Sequence, residues 1–191
     1  LPEAEFYNGY AEMLKYAFIK DKHLFNEIKG FSKEKDFSNI DVIVKCIQIK
    51  VDIVDGDLYE KAERKLLNFG HTVGHAIEGY FLESVPISHG HAVALGMCAE
   101  AYLSMDKVGL SKKEYKQIEE VLTRVYPFIK FTDEDIKAII KLMYNDKKNE
   151  SGKIYSVLLH GIGSSTFHNE LLESEIGKAL LHISMLSDIY N

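Results

Sequence analysis

At 191 residues, 46% apolar and 27% charged, the chain is long enough for one core-bearing domain or a large piece of one. Its net charge of -6 argues against a nucleic-acid partner, which needs a basic surface. No apolar run approaches the roughly 20 residues of a membrane span, and Leu1-Pro2-Glu3-Ala4-Glu5 has neither a signal peptide's basic and apolar regions nor an initiator Met, so a processed or cut product is expected.

Helical patterning starts at once, with Phe6, Tyr10, Met13, Leu14, Ala17 and Phe18 at three- and four-residue spacing. A second helix is predicted over Asp36–Val54, opened by Ser38 with Asp41 three residues on. Asn68–Phe81 and His89–Ser104 follow. Ser111-Lys112-Lys113-Glu114 is a capping box that opens a helix to about Val125. Thr132 and the acids Asp133, Glu134 and Asp135 open another, to about Tyr144. In Gly152–Phe167, alternation around Ile154, Ser156 and Leu158 and the turn Gly161-Ile162-Gly163-Ser164 predict a short hairpin or a pair of extended segments. A last helix spans Leu171–Ile189. Cys46 and Cys98, far apart in apolar segments, are expected to be buried free thiols of a reducing compartment, here the cytoplasm. The predicted fold is mainly α: a single helical domain over residues 1–191 with a small β-element.

Candidate chemistry centres on Asn68-Phe69-Gly70-His71-Thr72-Val73-Gly74-His75. Residues i and i+4 share a helix face, so His71 and His75 can both face one ion or one substrate. Glycine inside a helix costs about 1 kcal/mol against alanine, so Gly70 and Gly74 suggest that something approaches this face closely. His89-Gly90-His91 enters the next helix and can complete a metal site. A catalytic site of this kind also wants a carboxylate. Glu12, in an otherwise apolar stretch with Lys15 three residues on, is the candidate, although the pattern alone favours an exposed ion pair on an amphipathic helix. Lys50 interrupts an apolar run and Arg64 sits among charges; Lys147 and Lys148 close a helix, where cations favour the dipole. These residues point to a metal site with several anion-binding cations, and to no particular reaction.

Arg64-Lys65-Leu66-Leu67-Asn68-Phe69-Gly70-His71-Thr72-Val73-Gly74-His75-Ala76-Ile77-Glu78 closely resembles the signature of 3-dehydroquinate synthase. In the same order, Ala11-Glu12-Met13-Leu14-Lys15-Tyr16, Ile49-Lys50-Val51-Asp52-Ile53-Val54, His89-Gly90-His91-Ala92-Val93-Ala94-Leu95-Gly96-Met97, Asp146-Lys147-Lys148 and Val157-Leu158-Leu159 resemble further family segments. The resemblance implies the helical C-terminal part of a two-domain enzyme whose N-terminal α/β domain binds NAD. No nucleotide-binding fingerprint precedes Glu12, so the N-terminal NAD-binding domain is expected to be absent and the chain alone inactive. The resemblance further implies zinc (or cobalt) ligands Glu12, His71 and His89, with His75 in proton relay rather than as a ligand. Lys15, Lys50, Arg64, Asn68 and one of Lys147 and Lys148 would hold substrate, with His75, Lys50, Arg64 and Asn68 as catalytic residues. A homodimer is implied by the family alone. The implied reaction is NAD- and metal-dependent cyclisation of 3-deoxy-D-arabino-heptulosonate 7-phosphate to 3-dehydroquinate with loss of phosphate, in the shikimate pathway of aromatic amino acid biosynthesis. His91 stands where the family usually has Glu. That departure leaves room for a sister sugar-phosphate cyclase, a 2-deoxy-scyllo-inosose or 2-epi-5-epi-valiolone synthase. A metal-dependent glycerol or polyol dehydrogenase is a further alternative, against which the cations argue.

Overall fold

Apolar spacing makes α1 (Glu3–Lys20) a helix whose Tyr10, Leu14, Ala17 and Phe18 are fully buried. The computed structural model describes residues 2–32, 34–82, 84–144 and 152–190. Helix α1 stops where Asp21 adopts extended backbone. The Asp21 carboxylate accepts the N–H groups of His23 and Leu24 and so starts α2 (Lys22–Ile28). A short α3 (Glu34–Phe37) leads to α4 (Ile40–Gly56). The cap of α4 is Asn39, not the predicted Ser38: Asn39 Oδ1 accepts from Asp41 and Val42 N–H at 3.1 and 3.4 Å.

The predicted helix over Asn68–Phe81 is in fact two elements. A 3-10 turn (Glu63–Asn68) ends at Phe69, and α5 (His71–Phe81) starts afresh. Gly70 separates them with φ +78, a left-handed conformation that glycine adopts without steric cost. Helix α6 (His89–Lys107) outlasts its prediction by three residues and is buried on every side from Ala92 to Ala101. Helices α1, α5, α7 (Lys112–Val125) and α9 (Glu173–Tyr190) and strand β1 (Ile154–Gly161) pack around it. Helix α8 (Asp133–Tyr144) lies between α5 and α9.

The capping sequences predicted at Ser111 and Thr132 do open helices. Ser111 Oγ accepts from Glu114 N–H at 3.2 Å, while Thr132 and Asp135 exchange side chain and backbone at 3.2 and 2.7 Å. The β-element is an antiparallel hairpin in which β1 pairs with β2 (Ser164–Leu171), Ile154 facing Leu171. It runs four residues beyond its predicted end. Gly163 N–H donates to Phe18 C=O at 2.8 Å, which fastens the turn to the end of α1. Cys46 and Cys98 are buried free thiols, as expected. Among the described residues, no helix is long and apolar enough to cross a membrane.

Candidate metal centre

Two helices meet backbone to backbone beneath the site. A Cβ on Gly96 of α6 would lie 2.0 Å from Gly70 O and 2.6 Å from Gly74 N, and one on Gly74 would lie 2.9 Å from Ala92 O. The glycines that looked costly in a helix therefore permit the close approach of α5 to α6. That approach brings His71 and His75, on α5, against His89, the first residue of α6. Ring centroids are 5.1 Å apart for His71–His75, 5.5 Å for His71–His89 and 5.7 Å for His75–His89. One ring nitrogen from each can be chosen so that all three lie within 4.8 Å of one another. At the start of α6, Gly90 N–H donates to Asn8 Oδ1 at 2.8 Å, and a Cβ on Gly90 would strike Asn8, so α1 also fixes this corner.

Glu12, on α1, completes the cluster: its Oε1 lies 3.8 Å from His71 Nε2. Lys15 Nζ donates to both Glu12 oxygens at 2.8 Å, and Tyr16 OH donates at 3.1 Å. Burial alone would push the Glu12 carboxyl up. The Lys15 charge and hydrogen bonds, with His71 and Tyr16, outweigh it and hold the carboxyl below its usual range. His71 is pushed down to about 4, by burial first and then by Lys15, against the opposing pull of Phe69 C=O and Glu12. A neutral imidazole whose Nδ1 donates to Phe69 C=O (3.1 Å) leaves its Nε2 lone pair turned toward Glu12. His89 Nδ1 is 3.1 Å from Glu78 Oε2, which leaves its Nε2 available in the same way. Metal-bound imidazoles characteristically donate their second nitrogen to a carboxylate or carbonyl. A donor set of imidazoles and one carboxylate fits zinc or cobalt.

The remaining expected site residues divide. Lys50 shares with Glu12 and Tyr16 a mainly apolar groove of about 410 Å³ between α1 and α4. Arg64 and Asn68 lie on the 3-10 turn that leads into His71; Arg64 Nη1 donates to Leu58 C=O and Asn68 Nδ2 to Glu60 Oε1, both at 2.9 Å. Lys147 and Lys148 lie outside the described residues. His91 turns away from the cluster: Nε2 donates to Pro127 C=O, and the ring stacks near Tyr126. Sequence reasoning missed Glu78, whose signal was its place seven residues after His71 on the same helix face.

The fold is one shared with sugar-phosphate cyclases. The chain superposes on the 2-epi-5-epi-valiolone synthase of Streptomyces hygroscopicus subsp. jinggangensis 5008, a structure with NAD+ and Zn2+ bound, with a TM-score of 0.79 and 25% identity, over 96% of this chain and 52% of that one. A 2-deoxy-scyllo-inosose synthase shares the fold (TM-score 0.75, 23% identity, 94% of this chain and 53% of that one). By sequence, the chain is 37% identical to a 3-dehydroquinate synthase of Thermodesulfovibrio yellowstonii, over 94% of this chain and 51% of the relative. It is 35% identical to one of Parabacteroides distasonis, over 91% and 50%. Residues 9–149 match the 3-dehydroquinate synthase C-terminal family, to which the chain belongs. It spans about half the length of the curated relatives it matches.

Proposed function

We propose that this chain, as one domain over residues 1–191, is the metal- and substrate-binding half of a 3-dehydroquinate synthase, working with an NAD-binding half in a cytoplasmic homodimer. The observation that carries this reading is the convergence of His71, His75 and His89 with Glu12 beside His71. Glu12, His71 and His89 hold the metal, which when bound polarises substrate oxygens as a Lewis acid; NAD supplies transient hydride transfer. His75, close to both other rings, faces substrate and moves protons. Lys15, within reach of Glu12, and Lys50, on the shared groove, bind substrate anions. Arg64 and Asn68 bind and orient substrate at the entrance to α5, with one of Lys147 and Lys148. A phosphate and a carboxylate on one flexible substrate explain the number of cations, since catalysis rests largely on holding successive reactive conformers.

The sister cyclases remain the second reading, favoured by the structural likeness to the valiolone synthase. The higher identity to the dehydroquinate synthases supports the first. The test is to supply the parent protein with the seven-carbon keto-acid phosphate, NAD and zinc, and to follow phosphate release and dehydroquinate. Metal-dependent formation of both supports the synthase. Turnover only of a sugar phosphate without the carboxylate moves the protein to a sister cyclase.

A further inference from the structure

Glu100 is the lone acidic residue in the apolar run from Ala92 to Met105 of α6, and it is fully buried. Its Oε2 accepts from Gly70 N–H at 2.8 Å and its Oε1 from Val73 N–H at 3.3 Å. Gly70, as N-cap of α5, has no side chain to serve the free N–H groups of the first turn. A residue of the neighbouring helix thus performs the capping that α5 cannot provide for itself. Glu100 stands eleven residues along α6 from His89, about 16 Å along the axis, so it is no ligand of the metal centre.

Its influence on the centre runs through a single peptide unit. The N–H that Glu100 holds most tightly belongs to the Phe69–Gly70 peptide. The carbonyl of that same peptide, Phe69 C=O, takes the hydrogen bond from His71 Nδ1 at 3.1 Å. A peptide unit is planar and rigid, so a grip on its N–H end fixes the direction of its C=O end. The carbonyl in turn selects the His71 tautomer with hydrogen on Nδ1 and aims Nε2 at Glu12. We propose that Glu100 is a positioning residue for the metal centre, setting the tautomer and direction of the His71 imidazole through the Phe69–Gly70 peptide. This inference rests on the reading of His71 as a metal ligand.

Glutamine at this position keeps the shape but presents an NH2 group to one of the two backbone N–H donors, and so loosens one end of the grip. The test titrates the 191-residue chain and its Glu100→Gln variant with Co2+, following the visible absorption of the bound ion and recording the melting temperature alongside. Glu100→Gln should weaken Co2+ binding by up to about 10-fold, the low end of the cost of losing an outer-shell partner because the Phe69 carbonyl itself is kept, and should shift the Co2+ band. The comparison variant is Glu119→Gln. Glu119 is a buried carboxylate on α7, bonded to Lys116 and Tyr190 and 3.8 Å from His182 Nε2, on a helix that carries none of the proposed metal ligands. It should lower the melting temperature while leaving Co2+ affinity and spectrum as they were. If Glu100→Gln binds Co2+ with unaltered affinity and band, the positioning role is wrong although the site stands. If the unsubstituted chain binds no Co2+, the reading of the site fails and takes this inference with it. Should Glu100→Gln not fold, the shorter Glu100→Asp serves, read by the imidazole nitrogen shifts of His71. A tautomer mixture is expected there against a single Nδ1–H form in the unsubstituted chain, and identical shifts would overturn the proposal.

Discussion

Lys15 Nζ sits 2.8 Å from each carboxylate oxygen of Glu12, and it does so from a nearly buried position, only 4% exposed. The lysine keeps an otherwise desolvated carboxylate ionised beside His71. With Lys15→Met, burial acts on Glu12 unopposed and its carboxyl pKa rises. The lowered pKa of the native pair gives stability present above the ordinary carboxyl pKa and lost as pH falls through the folded value. The variant should therefore lose about 2 kcal/mol at neutral pH, between an exposed and a buried pair because Glu12 is partly solvated. Its deficit should shrink toward acid pH. Urea unfolding at several pH values measures both, and a pH-independent deficit would contradict the electrostatic account.

The proposed division of roles among the histidines makes a sharp comparison. His71→Ala and His89→Ala should each weaken Co2+ binding by on the order of 100-fold or more, since a catalytic site has only three protein ligands. His75→Ala should change affinity only several-fold. Isothermal titration of the three variants decides, and equal losses in all three would make His75 a ligand too.

Two glycine substitutions should act in opposite directions. Gly96→Ala would place Cβ 2.0 Å from Gly70 O, a backbone atom with nowhere to move; a loss of about 3 kcal/mol or more is expected. Gly79→Ala, on the exposed face of α5 with Leu142 no nearer than 4.0 Å, should add about 0.5 to 1 kcal/mol. Thermal melts of the two proteins provide the measurement.

His91→Glu installs the residue that the resemblance to 3-dehydroquinate synthase leads one to expect at this position. Burial holds His91 below its ordinary pKa, against the pull of Pro127 C=O, so the ring donates while neutral. A carboxylate cannot donate to that carbonyl. The substitution should cost about 1 to 2 kcal/mol and leave Co2+ affinity unchanged, because the side chain at this position points away from the three histidines. A rise in affinity would show that the helix start can reorient.

Glu100 is pushed up to about 8, chiefly by burial, with the Gly70 N–H, the Ser156 hydroxyl and the Val73 and Thr72 N–H groups pulling the other way. The unfolded chain releases this proton near the ordinary carboxyl value, and the folded protein holds it to about 8. The stabilisation is therefore complete at low pH and lost as pH rises through 8, with a slope of up to about 1.4 kcal/mol per pH unit from this one group. Glu100→Gln should flatten that part of the curve of unfolding free energy against pH.

Most of the helices were legible because their information is local. The spacing of Phe6 to Phe18 makes α1, and Ser111 and Thr132 announce α7 and α8. Less legible were features that depend on a partner distant in sequence. Asn39 beats Ser38 as a cap because its oxygen reaches two N–H groups. The break at Gly70 follows from Met97 and Val93, which leave no room for a side chain there. Within the site, the histidine cluster could be suspected from spacing alone, whereas Glu12 was a candidate that local pattern assigned rather to an ordinary ion pair, and the resemblance was needed to favour it as a ligand. Glu100 carried a signal, a single acid in an alanine-rich helix, but its partner lies thirty residues earlier in sequence.

Where α5 crosses α6, nothing but hydrogen separates the two main chains. Elsewhere in a protein, the gap between helices is filled by side chains, and substitution there moves the helices by fractions of an ångström. At Gly74 and Gly96 no filling exists to be exchanged. The separation of His71 from His89 is consequently set in large part by the backbone itself. Adjustment of the centre falls instead to residues that approach from outside the crossing, on the α1 helix that bears Glu12 and Lys15.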